Sequence, residues 1–179
     1  GSVAPKSNIK RIDRLLGNPH LARELTRIFE AICKLLLQGK SEPVILIDQT
    51  QLDDNYCSLS AAIPVDGRAI PIYWEVHPKQ KKTNRKVQED FLRTLKRLVP
   101  HDSKPIIGTD AGFQSPWFDA VIELGWNYAG RLSGHLCLCL PQEDWRQASK
   151  FYSLAEKENK DLGVCRVTKN SEALRRVIL

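Results

Sequence analysis

No run of apolar residues in this chain approaches the length of a membrane span, and its first residues carry no basic-then-apolar leader. The first absence excludes a helical integral membrane protein, and the second leaves no mark of export. Gly1-Ser2 reads as a cloning scar or the start of a fragment. Cysteine is scarce: five residues, an odd number without framework spacing. That argues against a secreted disulfide scaffold and for a reducing cytoplasm. A zinc knuckle needs two C-x-x-C pairs, and Cys137 and Cys139 instead alternate with Leu136, Leu138 and Leu140 on one face of an expected strand. His20, His77, His101 and His135 are scattered and suggest neither a metal site nor a catalytic dyad. Internal repeats and low-complexity tracts are absent as well.

What the chain does have is a core and a basic balance. At 179 residues, 42% hydrophobic and 27% charged, it fits one soluble domain with a small appendage. A net charge of +6 suits a polyanionic partner, although a mild basic excess also serves solubility. The positive residues cluster. Lys79, Lys81, Lys82, Arg85 and Lys86 fall within eight positions, and Lys6, Lys10, Arg11 and Arg14 line the start. Read as a DNA-backbone contact, such a run gives affinity and salt dependence without sequence choice; read plainly, it is a solvated face.

The most informative stretch is Pro43-Val-Ile-Leu-Ile-Asp-Gln-Thr50. Its continuous apolar run predicts a strand buried on both faces, and Asp48 at its end is costly unless that end opens into a site. A second short apolar strand, Lys104-Pro-Ile-Ile-Gly-Thr-Asp110, ends the same way. Ligands collect outside the carboxyl ends of strands in mixed sheets, so neighbouring strands of this kind hold two carboxylates together. The expectation is a divalent-metal site for phosphodiester chemistry at Asp48 and Asp110. The plainer alternatives are surface carboxylates or, for Asp110, a helix cap. Asp53 and Asp54 read first as solvated turn residues and second as metal contacts.

In chain order, Ile9, Ile12, Leu15 and Leu16 predict a short helix from Asn8, with Gly17 as a left-handed stop. Asn18-Pro19 caps a second helix whose stripe runs from Leu21 to Leu36, and the pair is expected to cap a sheet. Tyr56–Pro64 and Arg68–Val76 flank Asp66-Gly67, a strong hairpin signal, with Pro64 and Pro71 expected at edges or bulges. Val87 to Val99 is an amphipathic helix. Ser115-Pro116 caps another, stopped by Gly125, and a strand over 126–132 brings Arg131 to its carboxyl end. Strands over 135–140 and 164–167 flank a polar connector, and the apolar ending is expected to continue. The predicted fold is α/β: a ribonuclease H-like mixed five-stranded sheet flanked by helices, with first and fourth strands as parallel neighbours. Residues 1–40 form a helical lead-in, 41–133 the core, and 134–179 the truncated start of an inserted β-rich segment.

Several motifs carry a family likeness: Asn8-Ile-Lys-Arg-Ile-Asp-Arg-Leu-Leu-Gly-Asn18, Ile45-Leu-Ile-Asp48, Thr109-Asp-Ala-Gly-Phe113 with Pro116-Trp117, and Leu124-Gly-Trp126 with Arg131. Together, over roughly residues 6–170, they resemble the DDE transposases of bacterial insertion sequences, in particular the cut-and-paste group that works through a DNA hairpin. The resemblance implies that Asp48 and Asp110 are two members of an acidic triad holding a pair of Mg2+ ions, with Mn2+ as substitute, about 3.5–4 Å apart. It also implies DNA partners (transposon ends and target) and a homodimer in the DNA complex. Arg131 would grip a terminal phosphate, or else form a surface ion pair. The family's third carboxylate sits in a Tyr-x-x-Arg-x-x-x-Glu context, which Glu156, Glu158 and Glu172 all lack. The family's N-terminal DNA-binding segment is also missing, so the chain reads as a fragment, inactive alone.

Trp117 and Trp126 are expected in the core, while Trp145 in a polar stretch is the candidate to stack on an unpaired base. The leading function is metal-dependent DNA cleavage at transposon ends with strand transfer. Its competitors are a non-catalytic DNA-binding or self-associating fragment and a ribonuclease H-like nuclease without strand transfer.

Overall fold

A computed structural model describes residues 5–155, 158–169 and 173–179. Gly1, Ser2, Glu156 and Glu172 lie outside the described residues. Two sheets organise the chain. The first has the order β3-β2-β1-β4-β5, built from β1 (Val44–Gln51), β2 (Tyr56–Val65), β3 (Arg68–Pro78), β4 (Ile106–Thr109) and β5 (Asn127–Gly130). β1, β2 and β3 form an antiparallel meander, and β4 and β5 add in parallel to β1. It is the expected α/β arrangement, a mixed five-stranded sheet with the first and fourth strands side by side.

Local chemistry accounts for the connections. Asp66 and Gly67 both take positive φ (47° and 74°), which is what a two-residue hairpin turn matching the strand twist requires. A bulge opposite Ala61 and Ala62 absorbs Pro71 on the edge strand, and Pro64 lies beyond the reach of β1. The Asn18 side chain accepts from the His20 amide at 3.0 Å to start α2 (Pro19–Leu37), and Asn84 does the same from the Val87 amide at 3.2 Å for α3 (Arg85–Leu98). α4 (Ser115–Glu123) starts from Gln114 rather than Ser115, and Gly125 stops it with φ 74°.

Packing is one-sided, and here the expectation from sequence needs correction. Ile45 and Ile47 are buried under Phe29, Cys33 and Leu37 of α2, Phe91, Leu92 and Leu95 of α3, and Trp117 and Val121 of α4. Their neighbours Val44 and Leu46 keep 41% and 39% of their surface exposed, and so does Val76 (52%) on the edge strand. β1 is therefore not a strand buried on both faces; it alternates, and only the face toward the helices is dry.

α1 (Pro5–Leu16) corrects a second expectation. Ile9, Ile12, Leu15 and Leu16 are all exposed, so only α2 of the helical pair joins the core. Gly17 ends α1 without left-handed φ, its amide still bonded to the Asp13 carbonyl at 2.9 Å. Burial does hold for Trp117 and Trp126.

The C-terminal part has its own antiparallel sheet, β7-β6-β8-β9, from β6 (Cys137–Cys139), β7 (Arg146–Gln147), β8 (Asp161–Val167) and β9 (Ala173–Ile178). It is longer than the two strands expected, and it has a separate core of Leu138, Ala148, Phe151, Cys165, Val167 and Val177. Across β8 and β9, Arg176 Nε donates to Asp161 Oδ2 at 3.0 Å. That bond and the Gly163 amide hold the Asp161 carboxyl below its ordinary range, so its contribution is present above that range and is lost as pH falls below it through the lowered folded-state value.

The one-sided packing makes a direct prediction for adjacent residues of one strand. Ile45→Ala should cost about 2–5 kcal/mol in urea unfolding. Leu46→Ala, on the open face, should cost less, about 1–2 kcal/mol, since part of the area it loses is already wet.

Candidate functional site

Parallel strands point their carboxyl ends the same way, and β1, β3, β4 and β5 all run in one direction. The same end of the sheet therefore receives Asp48 from β1, the Lys79–Lys82 loop after β3, Asp110 after β4 and Arg131 after β5. The register is close. Ile47 pairs with Thr109, and Thr109 with Gly130, so the next positions are Asp48, Asp110 and Arg131 at one level across three adjacent strands. The Arg131 amide still bonds to the Thr109 carbonyl at 3.1 Å. By alternation Asp48 follows Val44 and Leu46, which puts it on the open face rather than in the core. Asp48, Asp110 and Arg131 are all exposed.

Each carboxylate is held by one oxygen. Thr50, two residues on and on the same face, donates its hydroxyl to Asp48 Oδ2. The Gly112 amide donates to Asp110 Oδ1 at 2.9 Å, in a turn where a Cβ on Gly112 would lie 3.1 Å from that same oxygen. The other oxygens, Asp48 Oδ1 and Asp110 Oδ2, have no partner among the described residues. Two carboxylates with free oxygens fit Mg2+, which uses one or two carboxylates and completes its shell with waters and phosphate oxygens. No group of three His, Cys, Asp or Glu capable of holding a metal occurs among the described residues, and Glu158 lies exposed in the connector. Asp53 is occupied otherwise, accepting from the amides of Asn55 (2.7 Å) and Tyr56 (2.8 Å) within the β1–β2 turn.

The basic run divides in two. Lys79 and Lys81 form a short 3-10 turn, Lys82 follows it, and none of the three has a side-chain ion pair among the described residues. Arg85 and Lys86 instead open α3 and pair along it, with Glu89 at 2.6 Å and Asp90 at 3.3 Å. Glu89 lifts the Arg85 guanidinium further above its ordinary range.

Beyond β5, a groove of about 1250 Å³ lies between the two sheets, with Arg131, Arg175, Arg176, Phe118, Tyr128 and Tyr152 among its lining residues. Arg175 crosses it to pair with Asp119 and to sit over the Tyr128 ring at 5.9 Å. Sequence reasoning missed both Arg175 and the support of Asp48 by Thr50; the second was open to it, since alternate residues share a strand face. Trp145 is only half open to a base, because the Arg166 guanidinium lies 5.6 Å over its ring. No family model and no curated protein matches the chain.

Asparagine retains the oxygen that each aspartate uses locally, and alanine does not. Asp110→Asn should leave the unfolding free energy within about 0.5 kcal/mol of the parent. Asp110→Ala should lose about 0.5–1.5 kcal/mol with the Gly112 bond. Chemical denaturation of the two variants checks this.

Proposed function

We propose that this chain is the core portion of a metal-dependent DNA transposase, cleaving phosphodiester bonds at transposon ends and joining them to target DNA. The observation that carries the reading is the β1–β4 pairing, which sets Asp48 beside Asp110 with Arg131 one strand further on. Asp48 and Asp110 would hold divalent metal through their free oxygens. Bound Mg2+ supplies activation of a water or 3′-hydroxyl and stabilises the departing oxygen. Arg131 presents a planar fork suited to a phosphate, and at the same level it orients the scissile or terminal group. Lys79, Lys81 and Lys82 lie at the same sheet end and take the backbone of the duplex. A paired copy of the chain would bring two DNA ends together.

The ribonuclease H-like assignment is part of this proposal; the mixed sheet and its strand order support it. An uncut complex is the competing reading, in which the same basic end binds DNA without chemistry. The two part at the metal.

Calorimetric titration with Mn2+ should show binding to the parent chain that Asp48→Asn and Asp110→Asn each abolish. Binding that survives both substitutions would overturn the assignment of the two aspartates. For the basic end, changing Lys79, Lys81 and Lys82 together to Ala should weaken binding to duplex DNA. The log affinity against log salt should become shallower by up to about 2.7, from the ~0.9 that each neutralised phosphate contributes. Arg85→Ala with Lys86→Ala should change the slope less, because both side chains already have carboxylate partners.

A further inference from the structure

The Lys79–Lys82 loop is pinned to β1 by a residue outside the acidic pair. Gln49 follows Asp48 and points to the other face of the sheet. Its Oε1 accepts from the Thr83 amide at 3.3 Å, across 34 residues of sequence. Thr83 itself sits at φ 63°, a left-handed conformation that a β-branched residue adopts only when its surroundings impose it. On one side of that point the Lys82 amide bonds to the Lys79 carbonyl and the Lys79 amide to the Asn55 carbonyl. On the other, the Asn84 side chain caps α3. Thr83 is thus the hinge between the lysine turn and a rigid helix, and Gln49 is its tie to the strand that carries Asp48.

A second feature separates Gln49 from an ordinary structural glutamine. Its Nε2 is buried with no hydrogen-bond partner among the described residues. A buried amide donor left unsatisfied is costly, and an apolar residue of similar size would avoid that cost. Gln49 therefore serves stability poorly at this position.

We propose that Gln49 is a positioning residue that fixes the Lys79–Lys82 loop relative to Asp48, so that the lysines meet the DNA backbone beside the acidic pair. The inference rests on the reading of those lysines as phosphate contacts.

The test compares the parent, Gln49→Leu, Gln49→Glu, the triple Lys79/Lys81/Lys82→Ala variant, and Gln49→Leu in that triple background. Amide exchange at Thr83 should rise in Gln49→Leu and return toward the parent in Gln49→Glu, which retains the acceptor oxygen. The unfolding midpoint of Gln49→Leu should stay near the parent value. With a random-sequence DNA duplex as probe, Gln49→Leu should weaken binding about two- to tenfold, the worth of one hydrogen bond, and make the salt dependence shallower. In the triple background the same substitution should have no further effect. An unchanged Thr83 exchange overturns the proposal, and so does a loss in affinity that persists undiminished in the triple background. If the triple variant binds DNA as the parent does, the phosphate reading of the lysines fails, while the Thr83 exchange still decides whether Gln49 holds the loop.

Discussion

The parallel pairing of β1 with β4 is the constraint on which everything else in this structure depends. Adjacent strands lie about 4.8 Å apart, so register alone decides which side chains become neighbours. With Ile47 opposite Thr109, the next step along both strands is an aspartate. A slip of one residue would turn one of the two carboxylates to the opposite face. Ile45 and Ile107 fix the register, since they are paired with each other and both are fully buried. The core beneath the sheet thus sets the geometry of the end above it.

The two faces of the sheet do different work. Helices α2, α3 and α4 dry one face, which anchors the strands. Asp48 projects from the other, where two charged carboxylates keep their hydration and escape the desolvation penalty of a buried ion. Placing the acids on the open face, where the pairing of β1 with β4 ends, lets one sheet be both rigid and ionic. The basic groups obey the same logic. Arg85 and Lys86 at the start of α3 are committed to Glu89 and Asp90, whereas the lysines of the loop after β3 have no ion pair among the described residues and are open to an anionic partner.

Much of this was legible in the sequence, because it is written in local chemistry. Asp66-Gly67 specifies its turn through positive φ, Asn18-Pro19 specifies a helix start, and the order of strands and helices leads to the parallel neighbours. One-sided burial was not legible. Val44-Ile45-Leu46-Ile47 is apolar at every position, so its pattern cannot say which side another element covers; tertiary packing decides that. α1 shows the converse, an amphipathic stripe whose residues remain exposed. In the C-terminal sheet, β7 has only two residues and β9 carries Arg175 and Arg176 amid its apolar positions, too little periodicity to read. The tie between Gln49 and Thr83 joins positions with no sequence relation at all. For the candidate site, the two aspartates stood out because each ends an apolar run, although β1 continues to Gln51 past Asp48; their supports and the groove emerge only from the fold.

The most direct measurement of the central claim is iron-mediated cleavage of the chain itself. Fe2+ substituted at the divalent site, with ascorbate and peroxide, cuts the backbone near the ion. Asp48 and Asp110 sharing one ion predicts fragments ending near both positions from a single metal dependence, suppressed together by excess Mg2+. Cuts confined to one of the two strand ends, or mapping elsewhere in the chain, would contradict the shared site.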